Sequence, residues 1–322
     1  MATAEQIKSL IRSHLTENSE QFYTVALQVA AHEAQQGHVE FAHEIRKIID
    51  NAQNEKKLKI ARFPNELQGM VLSEDPDVSK SALVLPPILL ERLNRIIQEY
   101  HQQSKLKHYG LTPRRKIMLI GPPGTGKTLT TRVLAHELRL PCYTVQIDKL
   151  VTRFMGETSA KLRQIFDLIQ QETGVYLFDE FDTIGSERSL ENDVGEIRRV
   201  LNSFLQFIEH DKSDSLIVTA TNSPKLLDKA LIRRFDDVLY FELPSLEDRK
   251  KLIEKILSTF KPSIISWKTI LAESEGLSHS EVDQACRDSI KQAILNDEST
   301  VSPLLLRQML KERQHSKIGL RT

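Results

Sequence analysis

"KIMLIGPPGTGKTLTTRVLAHEL", residues 116–138, runs from five apolar residues through a glycine-rich turn into an amphipathic stretch. KIMLI is short, apolar and bounded by a turn signal, the pattern of a strand covered on both faces. GPPGTGKT (121–128) satisfies G-x-x-x-x-G-K-[ST] in the strand–loop–helix setting that this pattern requires. Gly121, Gly124 and Gly126 let the loop curl, so that Gly121, Pro122, Pro123, Gly124, Thr125 and Gly126 wrap a phosphate while Lys127, Thr128 and Leu129 open a helix. The N–H groups and dipole of that helix end favour negative charge. Lys127 is placed to neutralise β- and γ-phosphates, and the Thr128 hydroxyl to reach Mg²⁺. The segment therefore predicts a phosphate-binding α/β domain.

Four further runs, CYTV (142–145), VYLF (175–178), SLIVTA (215–220) and VLYFEL (238–243), repeat the strand texture, with helical segments between them. Short buried strands joined by helical crossovers imply a doubly wound parallel sheet, of five strands, over residues 84–244. In VYLFDEFD the strand ends at Asp179 and Glu180, on the sheet edge where ligands gather in such folds. A carboxylate there can join the Mg²⁺ coordination sphere, and its neighbour can polarise an attacking water. Asp179 takes the first role and Glu180 the second.

The flanks carry no strand signal. Residues 1–57 hold three apolar stripes at helical spacing, namely Ile7, Leu10, Ile11 and Leu15, then Phe22, Val25, Ala26 and Val29, then Phe41, Ile45, Ile48 and Ile49. They predict a small all-α bundle that selects a partner. Residues 58–83 read as a polar and acidic linker, 245–314 as a helical lid subdomain with a capping box at Ser278 and Glu281, and 315–322 as a basic tail. Lys plus Arg and Asp plus Glu are balanced at 44 each, so no global field draws the chain to nucleic acid. The two cysteines, Cys142 and Cys286, lie far apart in apolar surroundings, which predicts free thiols and a reducing compartment. With no signal peptide and no apolar run long enough for membrane insertion, the expected location is cytoplasmic.

From about residue 84 to 310 the chain resembles AAA+ ATPases, in particular the subgroup of katanin, spastin and the ESCRT-disassembly ATPase. The resemblance implies a P-loop NTPase fold with a helical lid and ATP with Mg²⁺ as ligands. It puts Asn222, at the end of SLIVTATN, at the sensor-1 position that orients water and reads the γ-phosphate. It makes Arg233 and Arg234, in LDKALIRRFDD, the candidates for arginine fingers, which in this family act on a neighbouring subunit's nucleotide. A site completed in trans implies a head-to-tail homo-oligomer, and the resemblance sets the number at six. SEGLSHSEV matches the family's EGxSGADI segment near the adenosine, making Gly276 and Ser278 candidate nucleotide contacts. His279 and Ser280 depart from the family's Gly-Ala, and no sensor-2 arginine stands in that segment.

The same resemblance aligns RFMGETS (153–159) with the first pore loop, so Arg153, Phe154 and Met155 become the expected grip on a protein threaded through a central pore. Residues 186–195 take the place of a second pore loop. The function expected is an ATP-hydrolysing ring or spiral that unfolds or disassembles proteins, alone or beside a separate protease. The alternative is a nucleic-acid-associated loader or remodeller, which predicts basic pore loops and steep salt dependence. The near-neutral loops and zero net charge disfavour it.

Overall fold

The computed structural model describes residues 8–9, 11, 13, 19–35, 38–57, 67, 69–150, 155–182, 193–223, 232–262 and 265–319. Six short strands form one sheet: β1 (Val71–Glu74), β2 (Lys116–Ile120), β3 (Cys142–Val145), β4 (Val175–Phe178), β5 (Leu216–Thr221) and β6 (Asp237–Tyr240), in the order β1-β3-β4-β5-β2-β6. Every pairing is parallel except β1 with β3. The alternation of side chains along a strand explains how one sheet serves two helical layers. Ile117, Leu119, Val175 and Leu177 enter one core with Leu89, Leu93 and Ile96 of α3 (Pro87–His101) and Leu134 and Leu138 of α5 (Lys127–Leu138). Met118, Ile120, Tyr176 and Phe178 enter the other, against α7 (Met155–Gln171) and α8 (Asp193–His210). The short helices α4 (Gln103–His108) and α6 (Ile147–Leu150) complete the connections.

The sheet has six strands rather than five. The sixth, β1, lies inside the stretch read as a linker, where Val71 is buried and Leu72 half exposed on an antiparallel edge. Four residues followed directly by Asp75 and Pro76 give too little alternation to announce a strand.

On the second face, Phe204 is fully buried and stands 4.7 Å from Phe181, 5.0 Å from Phe178 and 5.8 Å from Phe166, ring centre to ring centre. Emptying that position leaves a cavity bounded by three rings that cannot all collapse into it. Phe204→Ala is expected to cost about 3–5 kcal/mol. Urea denaturation checks it, with Leu304→Ala at an exposed site as control; equal midpoints for the two variants would contradict this packing.

The lid comprises α9 (Leu246–Ile256), α10 (Trp267–Glu273), α11 (His279–Leu295) and α12 (Pro303–Gly319) around its own core of Ile253, Leu257, Ile270, Val282, Cys286, Leu306 and Leu310. Both α9 and α11 start with a capping box, Ser245 with Asp248 and Ser278 with Glu281. The segment read as a tail from residue 315 continues α12 to Gly319. Cys142 and Cys286 are free and buried, and burial pushes the Cys142 thiol up to about 12 and raises that of Cys286 as well.

At the N-terminus, α1 (Ser19–Gln35) packs on α2 (Val39–Lys57) through Val25, Ala26, Val29 and Ala30 on one side and Ala42 and Ile49 on the other. The buried stripe of α2 matches the one read from sequence only in part: Ile49 is buried, whereas Phe41 and Ile48 are exposed. Of the first predicted stripe only Ile11 is among the described residues, and it is exposed. Among the described residues no helix is long and apolar enough to cross a membrane.

Candidate nucleotide site

Strand register determines which loops meet. Ile120 pairs with Thr221 and Phe178 with Thr219, all on parallel strands, so the chain leaves β2, β5 and β4 on the same sheet edge at Gly121, Asn222 and Asp179. Gly121 departs beside β6, where a Cβ would lie 2.2 Å from the Phe241 carbonyl oxygen; only glycine fits that approach. Gly124 and Gly126 have φ of +72° and +96°, which turns the loop back into α5. The Thr125 hydroxyl donates to the Pro122 carbonyl at 2.8 Å and holds the turn closed.

Four predicted side chains meet in two pairs. The Lys127 ammonium donates to the carbonyls of Gly121 at 2.7 Å and Pro122 at 2.9 Å and to Asn222 Oδ1 at 2.8 Å. Its own burial pulls its pKa down, while the charges of Asp179 and Asp182 push it back up. Beside it the Thr128 hydroxyl donates to Asp179 Oδ2 at 2.7 Å, bringing a hydroxyl and a carboxylate oxygen together as a pair suited to Mg²⁺. Asp179 Oδ1 accepts the Glu180 N–H at 2.9 Å. Glu180 itself has φ +51°, a conformation uncommon outside glycine and asparagine, and its side chain is exposed at the strand end. Its side chain forms part of the cavity wall together with that of Asp179.

Asp182 belongs to this set and was not singled out in the sequence. Its Oδ1 accepts the Asn222 N–H at 3.3 Å, so it orients the loop carrying Asn222 as well as biasing Lys127. The second aspartate of DEFD, three residues after Asp179, was the available signal.

A cavity of about 790 Å³ opens above these groups. Its wall includes Pro123 through Leu129, Asp179, Glu180 and Asn222, then Ala82 to Leu85, then His279, Ser280 and Asp283 of the lid. The lid is tied to the loop by the Ser280 N–H, which donates to the Gly124 carbonyl at 3.0 Å. Gly276 and Ser278 are not part of this wall. Gly276 takes φ +73° in the turn before α11, and the Ser278 hydroxyl accepts the Glu281 N–H as a helix cap while crowding the Gly124 Cα. In α11 the wall begins with the next two residues, His279 and Ser280, and continues through Asp283 and Arg287.

The remaining candidates stand apart from this cavity. Arg233 and Arg234 are exposed and precede β6, whose far end reaches the loop edge only at Tyr240 beside Ile120. Arg234 pairs with Glu209 near the end of α8. Arg153, Phe154 and most of the second predicted pore loop lie outside the described residues; the backbone at Met155 is the first residue of α7 and that at Asp193 the first of α8.

Residues 117–243 match the model of the family described as ATPase family associated with various cellular activities (AAA). An uncharacterised AAA family ATPase of Sinorhizobium fredii, y4kL, is similar at 29% identity over 99% of this chain and 98% of its own length. A putative 26S proteasome regulatory subunit homologue of Methanothermobacter thermautotrophicus is 30% identical over 63% of this chain and 56% of its own. The meiotic spindle formation protein mei-1 of Caenorhabditis elegans is 36% identical over 55% of this chain and 39% of its own, so the chain spans only about half or less of these last two relatives. With the phosphate loop, the strand-end acids and this match coinciding on one stretch, the chain carries an ATPase domain of the AAA family.

Proposed function

We propose that the protein hydrolyses ATP and uses the cycle to remodel other proteins as a ring or spiral of identical subunits, six by family resemblance. The observation that carries the reading is the meeting of Lys127, Thr128, Asp179, Glu180 and Asn222 at one end of one cavity. Lys127 and the first amides of α5 hold the β- and γ-phosphates. Thr128 and Asp179 hold Mg²⁺, which supplies charge neutralisation at the transferred phosphoryl group. Glu180 accepts the proton of the attacking water as the new oxygen–phosphorus bond forms and the bond to the bridging oxygen breaks. Asn222, already hydrogen-bonded to Lys127, positions that water and senses whether the γ-phosphate is present.

The position of Arg233 and Arg234 supports completion in trans. They precede the start of β6, and four strand residues at about 3.3 Å each separate that start from the loop edge, roughly 13 Å away. An arginine there lies far from its own cavity, which leaves a neighbour's site as the one it could complete. A protein client is supported by the relatives named for proteasome regulation and spindle formation, and by the Phe154-Met155 pair between Arg153 and Gly156. The N-terminal bundle, with Phe41 and Ile48 exposed, selects partners in this reading.

Stimulation of ATP hydrolysis tests it. Unfolded casein is expected to accelerate the full-length protein severalfold and single-stranded DNA to leave it unchanged. Phe154→Ala is expected to lose the casein response. Acceleration by DNA, or a casein response that survives the substitution, would overturn the threading reading.

A further inference from the structure

Residues 79–85 form a strap shared by the two subdomains. Its backbone is extended from Leu83, so successive side chains alternate. Leu83 and Leu85 pack into the core between the sheet and α3, whereas Val84 packs against the core of the lid. Ala82 to Leu85 also form part of the cavity wall. Polar contacts fix the strap to the large subdomain. The Lys80 N–H donates to Glu137 Oε1, near the end of α5, at 2.8 Å, and the Lys80 ammonium to Asn94 Oδ1 of α3 at 2.8 Å. A 3-10 turn over Lys80–Ala82 follows, in which the Ala82 and Leu83 N–H groups donate to the carbonyls of Ser79 and Lys80.

The lid holds the strap from the other side. The Lys255 ammonium, in the last turn of α9, donates to the Ser81 carbonyl at 2.6 Å. Lys255 is half-buried in the cavity wall. Burial pulls its pKa down to about 8, while the charge of Asp283 in α11 pushes it back up. An ammonium withdrawn from water costs free energy unless a partner takes its hydrogen bonds, and a backbone carbonyl of the strap is that partner. The Asp283 carboxylate accepts from Arg287 Nε at 2.7 Å, so the Lys255 bond runs to the strap and not across the lid. We propose that Lys255 is a positioning residue for nucleotide retention: by holding the Ser81 carbonyl it fixes residues 79–85 against the lid and keeps the wall from Ala82 to Leu85 in place around a bound nucleotide. Lys127, Thr128 and Asp179 stand at the phosphate end and do not depend on this bond. A lid that swings away carries Lys255 off Ser81, so the strap loses its polar anchor to the lid while the phosphate contacts remain. The proposal rests on the reading of the cavity as a nucleotide site.

Titration of the full-length protein with a fluorescent ADP analogue, mant-ADP, and displacement of that analogue by ADP test the proposal without turnover. Lys255→Met keeps the apolar stem and removes the donor, and is expected to weaken ADP about tenfold, the scale of one lost hydrogen bond to a charged group. Lys255→Arg keeps a charged donor and is expected to restore most of that loss. Hydrogen exchange separates positioning from general support of the lid. In Lys255→Met the amides of Lys80, Ala82 and Leu83 are expected to exchange about tenfold faster, while those of α10 and α12 keep their rates, because only the strap loses an anchor. Unchanged ADP affinity in Lys255→Met, or an arginine variant as weak as the methionine one, would overturn the role of Lys255 and leave the nucleotide site standing. Faster exchange throughout the lid would do the same, making Lys255 a prop of the lid fold. Failure of mant-ADP to bind the unaltered protein, which needs no variant, would overturn the nucleotide site itself.

Discussion

Glu180→Gln protein is expected to bind ATP with near wild-type affinity and to hydrolyse it about a hundredfold more slowly, or slower still. The substitution keeps the size of the side chain and, with the backbone unchanged, the φ of +51° at residue 180. It removes only the ability to take a proton from water. Lys127, Thr128 and Asp179 remain, with their bonds to Asn222 and to each other, so the phosphates keep their partners. A site that binds but does not turn over holds whatever assembly ATP favours, so the variant is also expected to run at larger mass in ATP than in ADP. Phosphate release gives the rate, displacement of mant-ADP by ATP the affinity, and light scattering the mass. Hydrolysis at the wild-type rate would remove Glu180 from its role as the base, and loss of ATP binding would make it a structural prop of the Asp179 turn.

How this site was legible in the sequence differs residue by residue. Gly121 to Thr128 could be read because backbone curvature, a phosphate-sized radius and a helix start all demand particular residue types at fixed spacing. The same holds for Asp179 and Glu180, which follow four fully buried strand residues and so announce a strand end. Side-chain pairings between distant strands left no such mark. The bond from Lys127 to Asn222 spans 95 positions, and only the parallel register of β2 with β5 brings them together. Asp182 was passed over for that reason: its partner is a backbone amide 40 positions away.

In the lid one residue carried two readings. Ser278 looked like a nucleotide contact by resemblance, while its spacing to Glu281 also predicted a capping box. In the folded chain the cap uses the hydroxyl, and the helix it starts directs the following residues to the cavity wall. A helix advances by about 100° per residue, so shifting attention by one position exchanges a capping serine for a histidine of the cavity wall. The strand β1 was missed because the antiparallel edge of a sheet needs only one buried side chain, here Val71, to hold it.

Arg233→Ala is expected to lower ATP turnover by roughly a thousandfold, the scale on which an arginine presented to a γ-phosphate acts, and to do so in a subunit other than its own. The neighbourhood fixes the pair at the base of β6. Phe235 is buried, and the Asp236 carboxylate accepts the N–H groups of Arg115 at 2.8 Å and Lys116 at 2.9 Å, clamping this turn to the start of β2. The two arginines on this clamp are not equivalent. Arg234 is engaged by Glu209, whereas Arg233 stands exposed at the corner. Arg234→Ala therefore removes a half-exposed ion pair, worth about 1 kcal/mol or less, and is expected to cost turnover severalfold at most. Mixing separates action in trans from local damage. With equal amounts of wild-type and Arg233→Ala subunits, half of the sites lack an intact arginine, so activity is expected to fall to about half whichever subunit the arginine serves. A Glu180→Gln subunit beside an Arg233→Ala subunit is expected to restore some hydrolysis, since in one of the two arrangements the altered arginine faces a site that is already dead. No restoration in this second mixture would place Arg233 in its own subunit's structure and not at its neighbour's nucleotide.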